Sequence, residues 1–457
     1  MTHALLRQIP AVSRLLEDPA LRPPVAAHGV GVVTMILREQ LETLRNAIRS
    51  GETTQLPSTA DWAAAVDHAA RRIADPQGRR AINATGILLH TGLGRAPLCE
   101  AARSALAGVG RYSVLQTDVA TGRRSQREAA VERLLRHLTG CEAATVVNNN
   151  AAATMLVLNT LCEGREAIIS RGQLVEIGGA FRMPDVMARS GCTMREIGTT
   201  NRTHLRDYAA AINEATGMLV HVHTSNYRVR GFGGTPPVGE LAPLAAQHGL
   251  PLLDDLGSGA LVPLADFGIA SEPLVRDSLA AGSDVCCFSG DKLICGPQSG
   301  IICGRRELIT RIRANPFARM FRVGKLTLAA LEATLTHFVN ADHAEALPFY
   351  RMLARPLAEL QARAEELTER LPHGRAHVED DLSYIGSGSI PDEGIPTRVV
   401  CVRAPGISPA TLARRCREQL PALFARIRDD ALVCDLRTVA EDELAPLAAG
   451  LRAALMG

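Results

Sequence analysis

The chain has 457 residues and a mass of 48.8 kDa, with 46% hydrophobic residues, 21% charged residues and a net charge of +2. A chain of this size can bury a large core and divide into about two or three domains. Its near-neutral charge neither demands nor excludes a nucleic-acid partner, and no apolar run reaches the roughly 18 residues that would suggest a membrane span.

The N-terminus, "MTHALLRQIP", is too short in apolar length and too soon broken by Pro10 to be a signal peptide, so the expected location is cytoplasmic. Residues 1–60 carry apolar positions such as Val32, Ile36, Leu41, Leu44 and Ile48 at spacings near three and four. That period predicts a small helical domain, with residues 61–82 as a linker. From about residue 83 to 335 short apolar runs, "AATVVN", "GMLVHVHTSN", "LPLLDDLGSG" and "DVCCFSG", alternate with helix-like segments such as "REAAVERLLRHLTG". Strands alternating with helices predict an α/β domain with a mostly parallel sheet covered on both faces. Residues 336–457 begin with a helical run and continue as a smaller α/β domain. The 11 cysteines include an adjacent pair, Cys286 and Cys287, but no C-x-x-C. Reduced, mostly buried thiols are expected, with no metal site.

Of 50 lysines and arginines only two are lysine, Lys292 and Lys325. Lys292 follows the apolar strand "DVCCF" and precedes a Gly-Pro-rich segment that returns into "SGIIC". Partial desolvation at such a strand end lowers an amine's pKa towards nucleophilic, Schiff-base chemistry. Ser289 stands three residues earlier, and Ser-x-x-Lys suits a pyridoxal phosphate site, the hydroxyl on the phosphate and the amine on the aldehyde. The same four-residue pattern opens a helix in serine acyltransferases, but Gly290 disfavours a helix here and neither S-D-N nor K-T-G follows.

Two further features fit that cofactor. "LPLLDDLGSG" ends a strand in Asp254 and Asp255, and a carboxylate there can keep a pyridine nitrogen protonated. Asp254 is the expected partner, although both carboxylates could simply cap a turn. In "AATVVNNNAAATMLVLNTL" the residues Asn149, Asn150 and Ala151 stand where a strand turns into an apolar helix, whose free N–H groups can receive a phosphate. His223 and Ser225, in "LVHVHTSNY", are candidate cofactor contacts, with a satisfied core histidine as the plainer reading. Arg95 lies in the glycine-rich "HTGLGRAPL". Arg319, Arg322 and Lys325 are spaced by three, which on one helix would turn three cations towards one side as an anion site.

"INATGILLHTGLGRAPL", "VVNNNAAAT", "SRGQLVEIGGAFRMPDVM", "VHTSNYRVRGF", "DDLGSG" and "FSGDKLICGPQSGIICGRRELI" closely resemble the bacterial selenocysteine synthase family, the L-seryl-tRNA(Sec) selenium transferases. The resemblance runs from "LRQIPAVSRLLEDP" to "DLRTV". It implies a fold-type-I pyridoxal phosphate enzyme, assembled as a homodecamer of five dimers, that converts seryl-tRNA(Sec) to selenocysteinyl-tRNA(Sec) with selenophosphate. By β-elimination it would form a dehydroalanyl intermediate, to which selenium adds. On the matching motifs the resemblance implies Lys292 as the cofactor lysine with Asp291 beside it, and Arg95, Arg319 and Arg322 as anion ligands. Against the family's pattern the chain has Gln173 and Gly324 where an acidic residue is common. The N-terminal helical domain, which a small-molecule lyase of the same superfamily would not need, is the expected tRNA-binding part.

Overall fold

The computed structural model describes residues 2–74, 78–178, 181–227, 229, 231–269, 272–386 and 394–456. Of the quoted motifs, Gly179, Ala180, Arg228 and Arg230 lie outside the described residues. The chain divides into two units, Met1–Ala81 and Ile82–Gly457.

The first unit is helical, as its periodicity predicts. Helix Val30–Ser50 buries Val33, Ile36, Leu37, Leu41 and Ile48 along one stripe and stops at Gly51, whose φ of 81° is the left-handed conformation that glycine adopts freely at a helix end. The expected linker is the exception, because residues Thr59–Ala74 form a second long helix. Its Trp62, Val66 and Ala70 join Leu15, Leu21, Val33, Ile36, Leu37 and Leu41 in one core. A capping box starts it: Ser58 N–H donates to Asp61 Oδ2 at 2.9 Å, and Asp61 N–H donates to Ser58 Oγ at 3.2 Å.

In chain order the strands are β1 (Ala81–Ala84), β2 (Ala143–Val147), β3 (Glu166–Ser170), the short pair β4 (Glu176–Ile177) and β5 (Phe181–Arg182), β6 (Thr193–Ile197), β7 (Thr216–Val222), β8 (Leu252–Gly257), β9 (Val285–Ser289) and β10 (Gly300–Gly304). They continue with β11 (Ala376–Ser383), β12 (Ile395–Val402), β13 (Ala422–Arg428) and β14 (Ala431–Asp435). The central sheet runs β2-β10-β9-β8-β7-β3-β6. It is parallel from β9 through β8, β7 and β3 to β6, and β10 is antiparallel to both neighbours. Apolar clusters cover both faces, which is why β2, β9 and β10 are buried at every residue and read as unbroken apolar runs.

The C-terminal part is α/β as expected, built on an antiparallel sheet. Its sheet, β1-β13-β14-β12-β11, is antiparallel at β11–β12, β12–β14 and β13–β14, and its first strand comes from residues 81–84. Arg437 is buried here and donates to the carbonyls of Met352, Leu353, Arg355 and Pro396 at 2.6–3.3 Å. Hydrogen bonds to a charged donor contribute more than neutral ones, and carbonyls left bare in a core cost extra. Arg437→Met is therefore expected to lower stability by roughly 3 kcal/mol. Calorimetry checks this, and an unchanged Tm would contradict it.

Candidate active site

Lys292 sits in a tight connection between β9 and the antiparallel β10. Gly290 N–H donates to Ser299 O at 2.9 Å, Gly296 N–H to Gly290 O at 2.8 Å and Cys295 N–H to Lys292 O at 3.0 Å. A Cβ on Gly290 would overlap Ser299 Oγ, so this turn requires glycine. The connection buries Lys292 to 7% exposure. Burial lowers its pKa from the ordinary lysine value, the positive charge of Arg95 adds to this, and Asp291, Asp255 and Glu272 oppose it. Ser289, equally buried, ends β9.

Arg95 reaches the same loop from the other side. Its Nη1 pairs with Asp291 Oδ2 at 2.6 Å, while its backbone holds a φ of 64°, an uncommon conformation for a residue with a side chain. A cavity of about 460 Å³ opens here, lined by Thr91, Gly94, Arg95, Asp291, Pro297 and Gln298 among others.

The helix Asn150–Cys162 starts where the sequence places it, at the end of β2. Asn149 is its cap, accepting from Ala152 N–H at 2.8 Å. The N–H groups of Asn150 and Ala151, in the first turn, have no intrahelical acceptor and remain available to an anion. From this helix Asn150 Nδ2 and Thr154 Oγ1 each donate to Asp255 at 2.8 Å.

Asp255, and not Asp254, thus shares the space of the helix start and the lysine. Asp254 points through the opposite side of β8, where His221 Nδ1 meets its Oδ1 at 2.7 Å and Ser278 donates to its other oxygen. Strand alternation makes this an either-or: two consecutive residues cannot face one side. Burial raises the pKa of Asp255, against hydrogen bonds from Asn150, Thr154 and the Gly257 N–H.

His223 lies just past β7, its N–H on Asp255 O at 2.8 Å, and its O accepts from Ser225 N–H at 2.9 Å. Among the described residues, the polar atoms buried without a partner include Ser225 Oγ, Asn150 Oδ1, Gln173 Oε1 and Glu272 Oε2, together with Arg95 Nε and Arg127 Nε. Buried polar atoms are normally hydrogen-bonded. Of these, Asn150 and Glu272 belong to groups that meet Asp255 or the charge field of Lys292. Ser225 Oγ lies beside Gly257 at the end of β8, 3.3 Å from where a Cβ would stand.

The arginines are arranged differently from one helix face. Helix Pro316–Met320 holds Arg319 and ends there; Arg322 pairs with Val147 across an isolated bridge; a new helix starts at Lys325 after Gly324. Lys325 Nζ donates to the Arg111 carbonyl. Arg127 lines a pocket with Lys325, and its charge is disfavoured first by burial, then by Arg322 and Arg319, against Glu128. Nothing in the sequence spacing marked Arg127 or Glu272, since both lie in irregular connections. All eleven cysteines are free and buried, as expected.

A buried amine of lowered pKa, a strand-end carboxylate bonded to the helix that can hold phosphate, and unpartnered donors and acceptors around them match what pyridoxal phosphate requires: an amine, a partner for the ring nitrogen and an anion cradle. The mostly parallel sheet and these side chains together have what a fold-type-I pyridoxal phosphate enzyme requires. The family model for L-seryl-tRNA selenium transferase matches residues 81–440, and that for the selenocysteine synthase N terminal matches residues 6–45. The chain belongs to the L-seryl-tRNA selenium transferase family.

Among similar proteins, the L-seryl-tRNA(Sec) selenium transferase of Carboxydothermus hydrogenoformans is 43% identical over 448 residues, 96% of each chain. That of Solidesulfovibrio magneticus is 45% identical over 454 residues, again 96% of each. A solved structure of D-glucosaminate-6-phosphate ammonia-lyase covers 83% of this chain and 96% of its own at a TM-score of 0.59 and 21% identity, a likeness of fold.

The two aspartates separate by experiment. Asp255→Asn should lower turnover by roughly a hundredfold or more, the scale of removing one preorganised charge at a reacting site. Asp254→Asn should act on stability instead. Equal kinetic losses in both variants would contradict the assignment to Asp255.

Proposed function

We propose that the protein converts L-seryl-tRNA(Sec) to L-selenocysteinyl-tRNA(Sec), using pyridoxal phosphate as cofactor and selenophosphate as selenium donor. The observation that carries this is the buried Lys292 amine, its pKa lowered by burial against the charge of Asp255, in a chain that matches the transferase family over residues 81–440. Pyridoxal phosphate, when bound, supplies the electron sink that makes loss of the Cα proton feasible. Lys292 takes that proton as a base. Asp255 holds negative charge at the ring-nitrogen side, and the first turn of helix Asn150–Cys162 receives the phosphate.

A serine esterified to tRNA has no free carboxylate, so Arg95, Arg319 and Arg322 need not bind one and can serve the phosphate of the donor, Arg95 while its Nη1 pairs with Asp291. Among the described residues no helix is long and apolar enough to cross a membrane; the cytoplasm is the site of action we expect. A homodecamer of five dimers is the assembly we expect.

The decisive assay charges purified protein with seryl-tRNA(Sec) and selenophosphate and looks for selenocysteinyl-tRNA(Sec); no product with intact, cofactor-loaded protein rejects the proposal. Single changes of Arg95, Arg319 or Arg322 to Ala should raise the selenophosphate concentration needed for half-maximal rate by about tenfold or more while leaving tRNA affinity within about twofold. A matching loss of tRNA binding in all three would overturn that division of labour.

A further inference from the structure

Away from the active site, the C-terminal sheet brings together three side chains of metal-binding chemistry. His377 and Glu379 lie two residues apart on β11 and so on one face of it, and Cys401 on β12 stands directly opposite His377 in the antiparallel register. A nitrogen, an oxygen and a sulfur atom of the three side chains lie within 4.8 Å of one another. His377 Nε2 is 2.7 Å from Glu379 Oε1, while Arg428 Nη2 donates to the other oxygen, Oε2, at 2.7 Å. That second bond fixes the carboxylate with Oε1 turned towards the histidine. The charge of Arg428 is met by a further carboxylate, its Nη1 donating to Asp381 Oδ2 at 2.7 Å. Cys401 forms the floor of the group, buried with Val399, Ala431 and Val433. The side chains of His377 and Glu379 are 46% and 37% exposed, which leaves the group open to ions from solvent. No spacing in the sequence predicts this group, because the cysteine joins it from the neighbouring strand.

We propose that His377, Glu379 and Cys401 bind a zinc ion, with water in a fourth position. A set of one nitrogen, one oxygen and one sulfur suits a borderline divalent ion such as zinc, which takes all three ligand types in four-coordinate sites. Magnesium and calcium, which favour shells of oxygen, do not match it. His377 Nε2 presents its lone pair when the ring proton sits on Nδ1, and Glu379 supplies Oε1. At Cys401 the Sγ–H bond gives way to a sulfur–zinc bond and the proton leaves to solvent. Arg428 stays on Oε2 as the outer partner that orients the carboxylate. The ion then ties β11, the last strand of its sheet, to β12. Because the unfolded chain does not hold these three side chains together, binding stabilises the folded sheet.

The test uses full-length protein kept reduced, stripped of metal with a chelator and dialysed. It should take up one zinc ion per chain with micromolar or tighter affinity in equilibrium dialysis, and retain it against a large excess of magnesium. X-ray absorption at the zinc edge should show one sulfur at about 2.3 Å and the other ligands, nitrogen and oxygen, at about 2.0–2.2 Å. His377→Ala, a change at an exposed position, should weaken zinc binding by at least about a hundredfold, since losing even an outer partner of a ligand costs ten- to a hundredfold. Cys401→Ser should do the same and remove the sulfur from the zinc shell. Added zinc should raise the Tm of the wild type and leave that of His377→Ala where it was. No uptake at micromolar zinc overturns the proposal, as do displacement by magnesium, a zinc shell without sulfur, unchanged affinity in His377→Ala, or a Tm that moves equally in both proteins. Should Cys401→Ser fail to fold, His377→Ala and the wild-type zinc shell decide the question without it.

Discussion

Replacing Lys292 by alanine is expected to remove both the visible absorbance of bound pyridoxal phosphate and turnover, the latter by at least about ten-thousandfold. The chain has two lysines, and Lys325 is tied through its Nζ to the Arg111 carbonyl. Lys292 is the amine that the fold buries, at 7% exposure, and burial lowers its pKa. The sign favours chemistry: a depressed pKa leaves more of the amine neutral at a given pH than in an ordinary lysine, and the neutral amine is what condenses with an aldehyde. Lys292→Arg should not rescue, because a guanidinium stays charged. A Lys292→Ala protein that still forms a borohydride-reducible adduct with the cofactor would move the role to another amine.

This lysine was legible in the sequence because three local signals coincide there: a scarce residue, an apolar strand before it, and glycines that forbid a helix after it. The helix start at Asn149 and Asn150 was legible for a similar reason, a β-branched run giving way to small and apolar residues. Choosing between Asp254 and Asp255 was a different problem. Alternation shows that they face opposite ways, but which of them meets the helix start is fixed by Thr154 and Asn150 packing over β8, 101 and 105 residues earlier in the chain. The same non-locality hid β1 as a strand of the C-terminal sheet, and hid Arg127 beside Arg319 and Arg322. The misread linker is instructive in another way, since its signals were local: Ser58 and Asp61 at capping-box spacing, then Trp62, Val66 and Ala70 at helical spacing. The preceding "SGETTQLPST" is a break in the chain, which marks a loop and not the end of a domain.

That helix changes how the N-terminal unit must be tested. A cut at residue 60 would strand Thr59–Ala74 without the helices that cover it and expose Trp62 and Val66, each worth roughly 2 kcal/mol buried. The informative deletion removes residues 1–74. The unit it removes has a core of its own, so cofactor absorbance should persist. Affinity for tRNA(Sec) should fall by at least about a hundredfold, and the preference over tRNA(Ser) should flatten. The unit carries its charge on arginines, of which Arg7, Arg14, Arg22 and Arg38 are exposed, whereas Arg45 is paired with Glu42 at 3.0 Å. Arginines facing solvent suit phosphate contacts, which give affinity without sequence preference, so a preference carried by this unit is expected to come from the shape of the RNA body. Salt therefore separates the two contributions: tRNA affinity of the intact protein should fall more steeply with ionic strength than that of the truncated one. A truncated protein that keeps both its salt slope and its tRNA preference, but sediments as a smaller oligomer, would show that the unit serves assembly and not recognition.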